Sequence, residues 1–369
     1  MIKEIYLDNF RCFSNFRISP GKFQLWLGEN GSGKSSALEA LRIIQNILSG
    51  QHIQDLLKKE SLTRWDKRNQ QTFGLTLEIG GESYEYEILV EHEKNSGKCR
   101  IFKEQLKWEK QIFFHFDGSD AHLFRINNKT KKAEKGTSFP ADWSRSVISG
   151  IAERNDNLPL IRFREEIRKW LIVQPAPVLM AQVAESEDKR LSKYAENFAE
   201  WYRHLIQENP GITYKTRESL KEVLSGFEEL SLNESGDMRK LRATFRIEND
   251  DYPFDFNELS DGQRQLMVIY TILESLKQKI FSVLLIDEPD NFVSLREIQP
   301  WLKSMESICE DKSVQSIIIS HHPEIINDMA HGLELWFSRQ SNAQVITKPY
   351  PTTPGLTPAE TMARGWEDK

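Results

Sequence analysis

WLGENGSGKSSALEALRII, residues Trp26–Ile44, is the stretch from which the fold follows. Within it, residues 28–35 fit the pattern GxxxxGK[ST], in which a glycine-rich loop points backbone N–H groups at phosphate oxygens. A short apolar run precedes the loop and an apolar helical pattern begins at Lys34. A chance glycine-rich turn before a helix is the alternative. Because the positive end of the helix would face the anion, we predict a phosphate-binding P-loop.

The side chains of this loop suit a nucleoside triphosphate with a magnesium ion. We expect Lys34 to bring positive charge to the β- and γ-phosphates of ATP and Ser35 to offer its hydroxyl to Mg²⁺. The predicted nucleotide-binding residues of the segment are Asn30, Gly31, Ser32, Gly33, Lys34, Ser35 and Ser36.

A second motif supplies carboxylates. The run SVLLIDEPD, residues 282–290, is an apolar strand that ends in Asp287 and Glu288. We expect Asp287 to orient Mg²⁺ through its water shell. Glu288, at the carboxyl end of the strand, is positioned to orient or deprotonate the attacking water. The alternative is an acidic turn after a buried strand, and the P-loop favours the functional interpretation.

Two further motifs flank the carboxylates along the chain, one before them and one after them. FNELSDGQRQL, residues 256–266, places Ser260, Asp261, Gly262 and Gln263 at the start of a predicted helix, where Ser260 is also an ordinary N-cap. SIIISHHPEII, residues 316–326, ends a buried strand at two histidines. His321 is the favoured contact for the γ-phosphate. A zinc site is the alternative there, but the sequence offers no third ligand at suitable spacing.

Composition bounds the class of protein. The chain has 369 residues, 39% hydrophobic, with a net charge of −6. A chain of this charge is not a generally basic nucleic-acid coat, although a local basic face stays open. The three cysteines, Cys12, Cys99 and Cys309, form no CxxC pair, and no signal peptide or membrane span is apparent. We therefore expect a cytoplasmic protein without a membrane partner.

The remaining pattern predicts alternating elements. Short strands precede the P-loop, and an antiparallel meander is expected over about 72–127. The polar, basic run 127–138 favours a solvated loop, with a DNA contact as the alternative. Helices are expected over 34–48, 160–171, 185–211, 217–230, 260–279, 294–308, 323–331 and near 357–360, and strands over 241–248, 282–286, 314–319 and 333–337.

With four motifs in order, the chain resembles the ABC-class P-loop ATPases, and within them the RecF/SMC/OLD-like branch of AAA_21 type. The segment IYLDNFRCFSNFRISPGKFQLWLGENGSGKSSALEAL, residues 5–41, carries this resemblance, and LSDGQ resembles the ABC signature LSGGQ with Asp261 in place of the first glycine. The resemblance covers about 1–50 and 255–337. It implies an α/β ABC-ATPase head with a mixed or parallel central sheet, an antiparallel β subdomain and a small helical lobe.

The expected domains are an N-terminal ATPase lobe over 1–150, a helical insertion lobe over 151–240, a C-terminal ATPase lobe over 241–340 and a Pro-rich tail over 341–369. The resemblance further implies ATP and Mg²⁺ as cofactors and a homodimer, or a higher homo-oligomer, with ATP between the subunits. The signature residues 260–263 would then act on the partner's nucleotide. Arg11 is expected to reach the phosphates. The Q-loop glutamine is not assigned, since Gln174 and Gln182 are both weak candidates.

The sequence differs from the pattern of the family in three features, and these bear on which function we expect. No histidine follows the carboxylates in DEPDNFVSLREIQP, residues 287–300, the helical insertion is short, and only about 30 residues follow the last predicted strand. We expect an ATPase subunit of a bacterial anti-phage defence or DNA-surveillance system, acting with an effector protein (a nuclease or toxin) in trans. The alternative is a RecF-like repair ATPase that clamps DNA. An ABC transporter subunit fits the sequence least.

Overall fold

The computed structural model of the chain describes residues 1–93, 96–127, 130, 132–311, 314–329, 334–340, 344–349 and 356–363. The fold is mixed α/β, as the sequence predicts. The chain divides into two compact units, of which the first is Met1–Trp170 with Leu335–Pro349 and the second is Leu171–Glu334 with the C-terminal segment. Predictions for 94–95, 128–129, 131, 312–313, 330–333, 341–343, 350–355 and 364–369 fall outside the described residues.

The strands alternate with helices along the second half of the chain and dominate the first half. The strands are β1 (Ile2–Asp8), β2 (Phe16–Ile18), β3 (Phe23–Gly28), β4 (Gln70–Ile79), β5 (Glu82–His92), β6 (Cys99–Trp108), β7 (Gln111–Phe116), β8 (Asp120–Ile126), β9 (Ala133–Pro140), β10 (Trp170–Val173), β11 (Val183–Ala184), β12 (Phe227–Ser235), β13 (Met238–Ile247), β14 (Asp250–Asp255), β15 (Val283–Asp287), β16 (Gln315–Ile319), β17 (Glu334–Gln340) and β18 (Gln344–Lys348). The α-helices are α1 (Lys34–Leu48), α2 (Ile53–Leu56), α3 (Val147–Gly150), α4 (Leu158–Arg168), α5 (Phe198–Glu208), α6 (Pro210–Val223), α7 (Asp261–Lys277), α8 (Leu295–Asp311), α9 (Pro323–Met329) and α10 (Pro358–Ala363).

The first unit contains an eight-stranded sheet in the order β2-β1-β4-β5-β6-β7-β8-β9. Every neighbouring pair in it is antiparallel, which confirms the predicted meander. Strand β5 alternates as a half-buried strand should, with Tyr84, Tyr86 and Ile88 buried on one face. On the other face Glu85 and Glu87 form ion pairs with lysines of β6. One face of the meander is therefore a core and the other meets solvent.

The last strand of the meander corrects the sequence prediction for residues 127–138. Residues Ala133–Pro140 form β9, which pairs with β8, for example Phe124 opposite Lys135. Strand β9 ends the sheet order and its side chains are mostly exposed. Because an exposed end strand buries no side, it shows no hydrophobic alternation from which a strand could be recognised.

The P-loop lies in the first unit between β3 and α1. In this unit the strands β3, β17 and β18 are neighbours in that order. Nearly all side chains of β3 are buried. Helix α1 buries an apolar face that includes Leu38, Leu41 and Ile44. The helix ends at Leu48, and Gly50 follows with a φ of +92° while donating its N–H to Ile47 O. The predicted helix boundaries are confirmed.

In the second unit the strand order is β10-β15-β16. Strands β15 and β16 are parallel and every residue of both is buried, as their uninterrupted apolar sequences predict. Helix α7 is buried from Gln265 to Leu276. It packs with α8, where Trp301 Nε1 donates to Ile269 O at 2.9 Å. The carboxyl ends of two neighbouring parallel strands therefore lie at one edge, which is where ligands bind in open α/β sheets.

The helix predicted over 185–211 is shorter than expected, and the helix predicted over 217–230 instead spans Pro210–Val223, so that its last predicted residues belong to β12. Helix α5 begins only at Phe198, because Asn197 binds Asp188 and Arg190 through its side chain and holds the preceding residues in an irregular path. Helix α6 ends at Val223, and Gly226 then turns the chain into β12 with a φ of +75°. Strand β13 pairs with β11, β12 and β14.

None of the helices in the described ranges is both long and apolar enough to cross a membrane.

Candidate functional site

The backbone of the P-loop curves closely at its last glycine. Gly33 has a φ of +108° and is the N-cap of α1, and Ala37 N donates to its carbonyl oxygen at 2.9 Å. A Cβ at Gly33 would lie 3.0 Å from both Cys12 Sγ and Phe13 Cζ. Only glycine meets both the left-handed conformation and the lack of space. The loop therefore brings main-chain N–H groups to the positive end of a 15-residue helix.

The ammonium group of Lys34 is held inside this loop. Its Nζ donates to Gly28 O at 2.6 Å, to Glu29 O at 3.0 Å and to Ser32 Oγ at 3.3 Å, and the residue is 5% exposed. The loop thus combines a fixed positive charge with a helix N-terminus, and this donor set fits a polyphosphate.

The other predicted residues of the loop lie on the same turn. Asn30, Gly31 and Ser35 are exposed, and Ser36 is half-buried. Ser35 belongs to the first unit and Asp287 to the second. The hydroxyl of one and the carboxylate of the other are hard oxygen ligands of the kind that Mg²⁺ takes. Their assignment to the metal stays a prediction.

A turn after β1 supports the P-loop from the side. Asn9 is fully buried with a φ of +53°, its Nδ2 donates to Arg68 O and Gln70 O at 2.9 Å each, and its Oδ1 accepts from Thr63 N. Phe13, 0% exposed, is the residue that contacts Gly33. The Asn-Phe-Arg-Cys-Phe sequence is therefore a structural support for the loop, a role that sequence reasoning missed because it treated the motif as a family marker.

Arg11 belongs to this turn. Its backbone has a φ of +52° and its N–H donates to Ser61 O at 2.7 Å. Its guanidinium carbon lies 5.4 Å from the ring centroid of Phe10. The neighbouring Cys12 approaches Gly33. A contact between Arg11 and a nucleotide stays a prediction.

The two predicted acidic residues follow β15 in the second unit. Asp287 is 4% exposed and pairs in register with Ile319 of β16. Glu288 N donates to Ile319 O at 2.8 Å, and Glu288 Oε2 accepts from Asn291 Nδ2 at 2.7 Å. Glu288 has a φ of +52°, a conformation that costs about 1–3 kcal/mol for a non-glycine residue. These two bonds hold Glu288 in a strained backbone conformation directly after the strand.

A third carboxylate, which sequence reasoning did not single out, lies beside them. Asp290 is 7% exposed, and its Oδ1 has no hydrogen-bond partner among the described residues. Burial raises the pKa of Asp290, while a hydrogen bond from Ser320 and the nearby His322 act in the opposite direction. Ser320 Oγ in turn accepts from His322 N at 3.0 Å. Asp290 therefore connects the turn after β15 to the turn after β16.

The two histidines after β16 have different surroundings. His322 Nδ1 accepts from Glu324 N at 3.3 Å and its carbonyl oxygen accepts from Ile326 N at 3.1 Å, so this residue caps α9. His321 precedes it and is half-buried. His322 thus takes part in local structure, and the catalytic role of His321 stays a prediction.

The signature sequence forms the N-terminus of α7. Ser260 Oγ accepts from Gln263 N at 3.3 Å, and Gln263 Oε1 accepts from Ser260 N at 3.0 Å, which is a capping box. Asp261 forms an ion pair with Arg264 at 2.5 Å. Gly262 is required for space, since a Cβ there would lie 2.4 Å from Phe292 O. The signature turn therefore touches the loop that follows Glu288.

The second unit thus brings three predicted motifs together. The signature turn contacts the loop 288–292, and that loop is bonded to the end of β16 just before His321. Gln265, also missed by sequence reasoning, adds a buried bond from α7 to Pro289 O at 3.0 Å. A buried side-chain amide bound to a carbonyl 24 residues away leaves no periodic signal in a sequence.

Similarity to solved structures supports the fold. The SmcHead bound to the C-winged helix domain of ScpA is 12% identical, with a TM-score of 0.57 over 94% of this chain and 98% of that one. The Smc head domain with an extended coiled coil, bound to the C-terminal domain of ScpA from Pyrococcus furiosus, is 13% identical, with a TM-score of 0.52 over 99% of this chain and 98% of that one. These likenesses establish an SMC-type ABC-ATPase head fold.

The curated proteins include no match to the chain. A family model described as "AAA domain, putative AbiEii toxin, Type IV TA system" matches residues 27–327, a range that begins just before the P-loop and ends after the histidine pair. Both the motifs and the fold agree with an ABC-class P-loop ATPase of the SMC/RecF-like branch, and the chain belongs to this AAA-domain family.

Proposed function

We propose that this protein binds and hydrolyses ATP and that ATP-dependent dimerisation acts as a conformational switch. The observation that carries the proposal is the P-loop, in which a buried Lys34 ammonium and a left-handed Gly33 stand at the start of α1. Membership of an AAA-domain family supports nucleotide binding. The strained, bonded conformation of Glu288 supports a hydrolytic role.

In this proposal each motif has one task. Lys34 binds the β- and γ-phosphates, and Ser35 and Asp287 hold Mg²⁺, which neutralises phosphate charge when bound. Glu288 orients the attacking water and accepts its proton, and His321 contacts the γ-phosphate. The result of hydrolysis is a change between dimer and monomer, because the γ-phosphate favours the dimer and its loss favours the monomer.

The dimer explains why a signature turn is present. Residues 260–263 stand at the N-terminus of the 17-residue helix α7, where the partial positive charge of the helix favours an anion. In the proposed head-to-tail homodimer this turn caps the nucleotide held by the partner's P-loop. ATP thus joins two subunits, and its hydrolysis releases them.

For the biological role, we propose the ATPase subunit of a bacterial anti-phage defence or DNA-surveillance system with an effector protein, a nuclease or toxin, in trans. The family description names a putative toxin and a toxin–antitoxin system, which supports such a setting. The similar SmcHead is bound to a domain of ScpA, which supports a protein partner.

Purification of a tagged Glu288→Gln variant from its native host with ATP tests this role. Recovery of a nuclease or toxin supports it, and recovery of the ATPase alone contradicts it.

A second candidate function, a RecF-like clamp on DNA, is favoured by one surface of the first unit. A groove of about 210 Å³ between β8 and β9 is lined by Arg125, Lys135 and Arg154, with Phe124 beside them and Asp156 as its one carboxylate. Such a surface suits phosphate contacts. Steeply salt-dependent binding to duplex DNA that falls in an Arg125→Glu, Lys135→Glu variant supports the clamp. Equal binding by the variant removes this groove from it.

The nucleotide chemistry is tested by two substitutions with matched controls. We expect Lys34→Ala to weaken fluorescent-ATP binding more than about tenfold, while the exposed Lys67→Ala leaves it unchanged.

We expect Glu288→Gln to bind ATP normally but to turn over about 100-fold more slowly, while Glu306→Gln on α8 behaves as wild type. Wild-type turnover by Glu288→Gln contradicts the assignment of Glu288.

A further inference from the structure

A buried amide on α7 holds the loop that carries the proposed catalytic carboxylate. Gln265 is 0% exposed, and its Nε2 donates to Pro289 O at 3.0 Å. A carbonyl oxygen only accepts, so the NH₂ side of the amide has to face Pro289. Pro289 directly follows Glu288, and Gln265 lies five residues after Ser260.

The amide is an unusual choice for this position. Its Oε1 is buried without a hydrogen-bond partner among the described residues, which costs free energy on the order of 1–3 kcal/mol. The residues that follow it on α7, from Leu266 onward, are almost all apolar and buried. A leucine or methionine would fill the space without this cost but would leave the carbonyl of Pro289 without its donor. The bond to the loop is therefore what the glutamine provides.

The loop that follows β15 contains strained backbone conformations that its contacts have to stabilise. It runs from Glu288 to Phe292, and both of these non-glycine residues have a positive φ, +52° and +67°. Each such conformation persists only when its surroundings over-determine it. Glu288 N is fixed by Ile319 O on one side, and Gly262 lets α7 approach Phe292 O on the other. Gln265 binds the loop at Pro289, the residue that directly follows Glu288.

We propose that Gln265 is a positioning residue: through its bond to Pro289 O, the signature end of α7 sets where the Glu288 carboxylate stands in the same subunit. This inference rests on the proposed hydrolytic role of Glu288. A displacement of the signature turn is then passed to Glu288 through one hydrogen bond and one backbone contact, without passing through the strands.

The first test removes the donor and keeps the volume. Gln265→Met is expected to lower kcat about 10- to 100-fold, since a misplaced catalytic group costs this much, with the Kd for ATP unchanged within about twofold. Gln278→Met, at the exposed C-terminal end of the same helix, serves as the matched control and is expected to behave as wild type. In a Glu288→Gln background, Gln265→Met is expected to add less than about a twofold further loss, because both changes act on one group.

The second test separates positioning from general packing. Gln265→Glu donates to Pro289 O only when its carboxyl is protonated, so its kcat relative to wild type should rise as pH falls from about 8 to about 6. Gln265→Met should show no such rise. The inference is overturned if Gln265→Met turns over like wild type, if its effect adds fully to that of Glu288→Gln, or if the Glu and Met variants have the same pH profile. Wild-type turnover by Glu288→Gln instead defeats the proposed function itself, so the two failures are distinct.

Discussion

At the scale of single residues, the P-loop contains glycines that differ in how much space their surroundings leave for a side chain. Gly33 and Gly31 illustrate the contrast. Both have a positive φ, +108° and +78°, but a Cβ at Gly33 meets Cys12 and Phe13 at 3.0 Å whereas a Cβ at Gly31 meets nothing within 4 Å. A side chain at either position would be strained by the backbone conformation, but only at Gly33 would it also lack space.

We therefore expect Gly33→Ala to be more destabilising than Gly31→Ala by about 1–3 kcal/mol, the range in which overpacking falls. Gly33→Ala should also weaken ATP binding, because the loop has to move to make room. Thermal unfolding and fluorescent-ATP titration of both variants measure these effects. Equal losses of stability in the two would show that strain alone, and not contact with Cys12 and Phe13, constrains the loop.

A buried carboxyl group makes the stability of the first unit depend on pH. Glu104 is fully buried, and its Oε1 accepts from Tyr86 OH at 2.9 Å and from Ser146 Oγ at 2.5 Å. Burial raises the pKa of Glu104 to about 7 from 4.5. The folded state therefore binds this proton more tightly than the unfolded state, and its contribution to stability is complete below pH 4.5 and is lost as pH rises through 7.

We expect wild type to lose on the order of 3 kcal/mol more stability than Glu104→Gln between about pH 4.5 and pH 8, since each pKa unit is worth about 1.4 kcal/mol. Urea unfolding midpoints of both proteins across this range measure the difference, with the exposed Glu306→Gln as the control. Parallel curves for wild type and Glu104→Gln would contradict the assignment.

At the scale of elements, the turn after β1 packs against the P-loop through Cys12 and Phe13. Asn9 makes three side-chain hydrogen bonds, to Arg68 O, Gln70 O and Thr63 N, while fully buried. Asn9→Ala leaves these groups without partners. We expect a loss of about 2–4 kcal/mol and a weaker affinity for ATP, because Phe13 and Cys12 follow this turn into contact with Gly33.

Thermal unfolding of Asn9→Ala beside the exposed Asn233→Ala tests this role of the turn. If ATP affinity stays normal in an Asn9→Ala protein that is measurably less stable, the turn supports the fold but not the loop.

The elements that could be predicted from the sequence are those with a period or a cap. The apolar runs of β15 and β16, the N-cap at Ser260 and the short helix near 357–360 all have such signals, and the structure confirms each to within a few residues. Strand β9 has no buried face, and residues 185–197 have helical spacing that Asn197 overrides with local bonds. The sequence of β9 therefore does not indicate a strand, and the sequence of 185–197 wrongly indicates a helix.

The same division holds for the candidate site. The P-loop, Asp287 and Glu288 belong to continuous motifs, so the sequence alone indicates them as candidates. Asp290 and Gln265 act through bonds to Ser320 and Pro289 that only the folded chain brings together. Motifs therefore indicate candidate groups for the chemistry, whereas the groups that contact them from elsewhere in the chain require a structure.

At the scale of the whole molecule, the proposed switch is a property of two copies of the chain. The exposed Ser260 at the signature turn has a role in a monomer only as a helix cap. We expect Ser260→Arg to retain ATP binding by the monomer while dimerisation and turnover are lost, because the bulk and charge of arginine stand where the partner's nucleotide would be. Ser307→Arg, on the exposed side of α8, is the control. Normal turnover by Ser260→Arg would argue against a site shared between subunits.

ATP-dependent dimerisation is tested most directly by the mass of Glu288→Gln in solution, measured by light scattering with and without Mg²⁺ and ATP. We expect the 43.0 kDa of one chain without nucleotide and twice that mass with saturating ATP, and the mass of one chain again when the Ser260→Arg substitution is added. A mass that stays at 43.0 kDa in saturating ATP, or a dimer that forms equally well with Ser260→Arg, would contradict it.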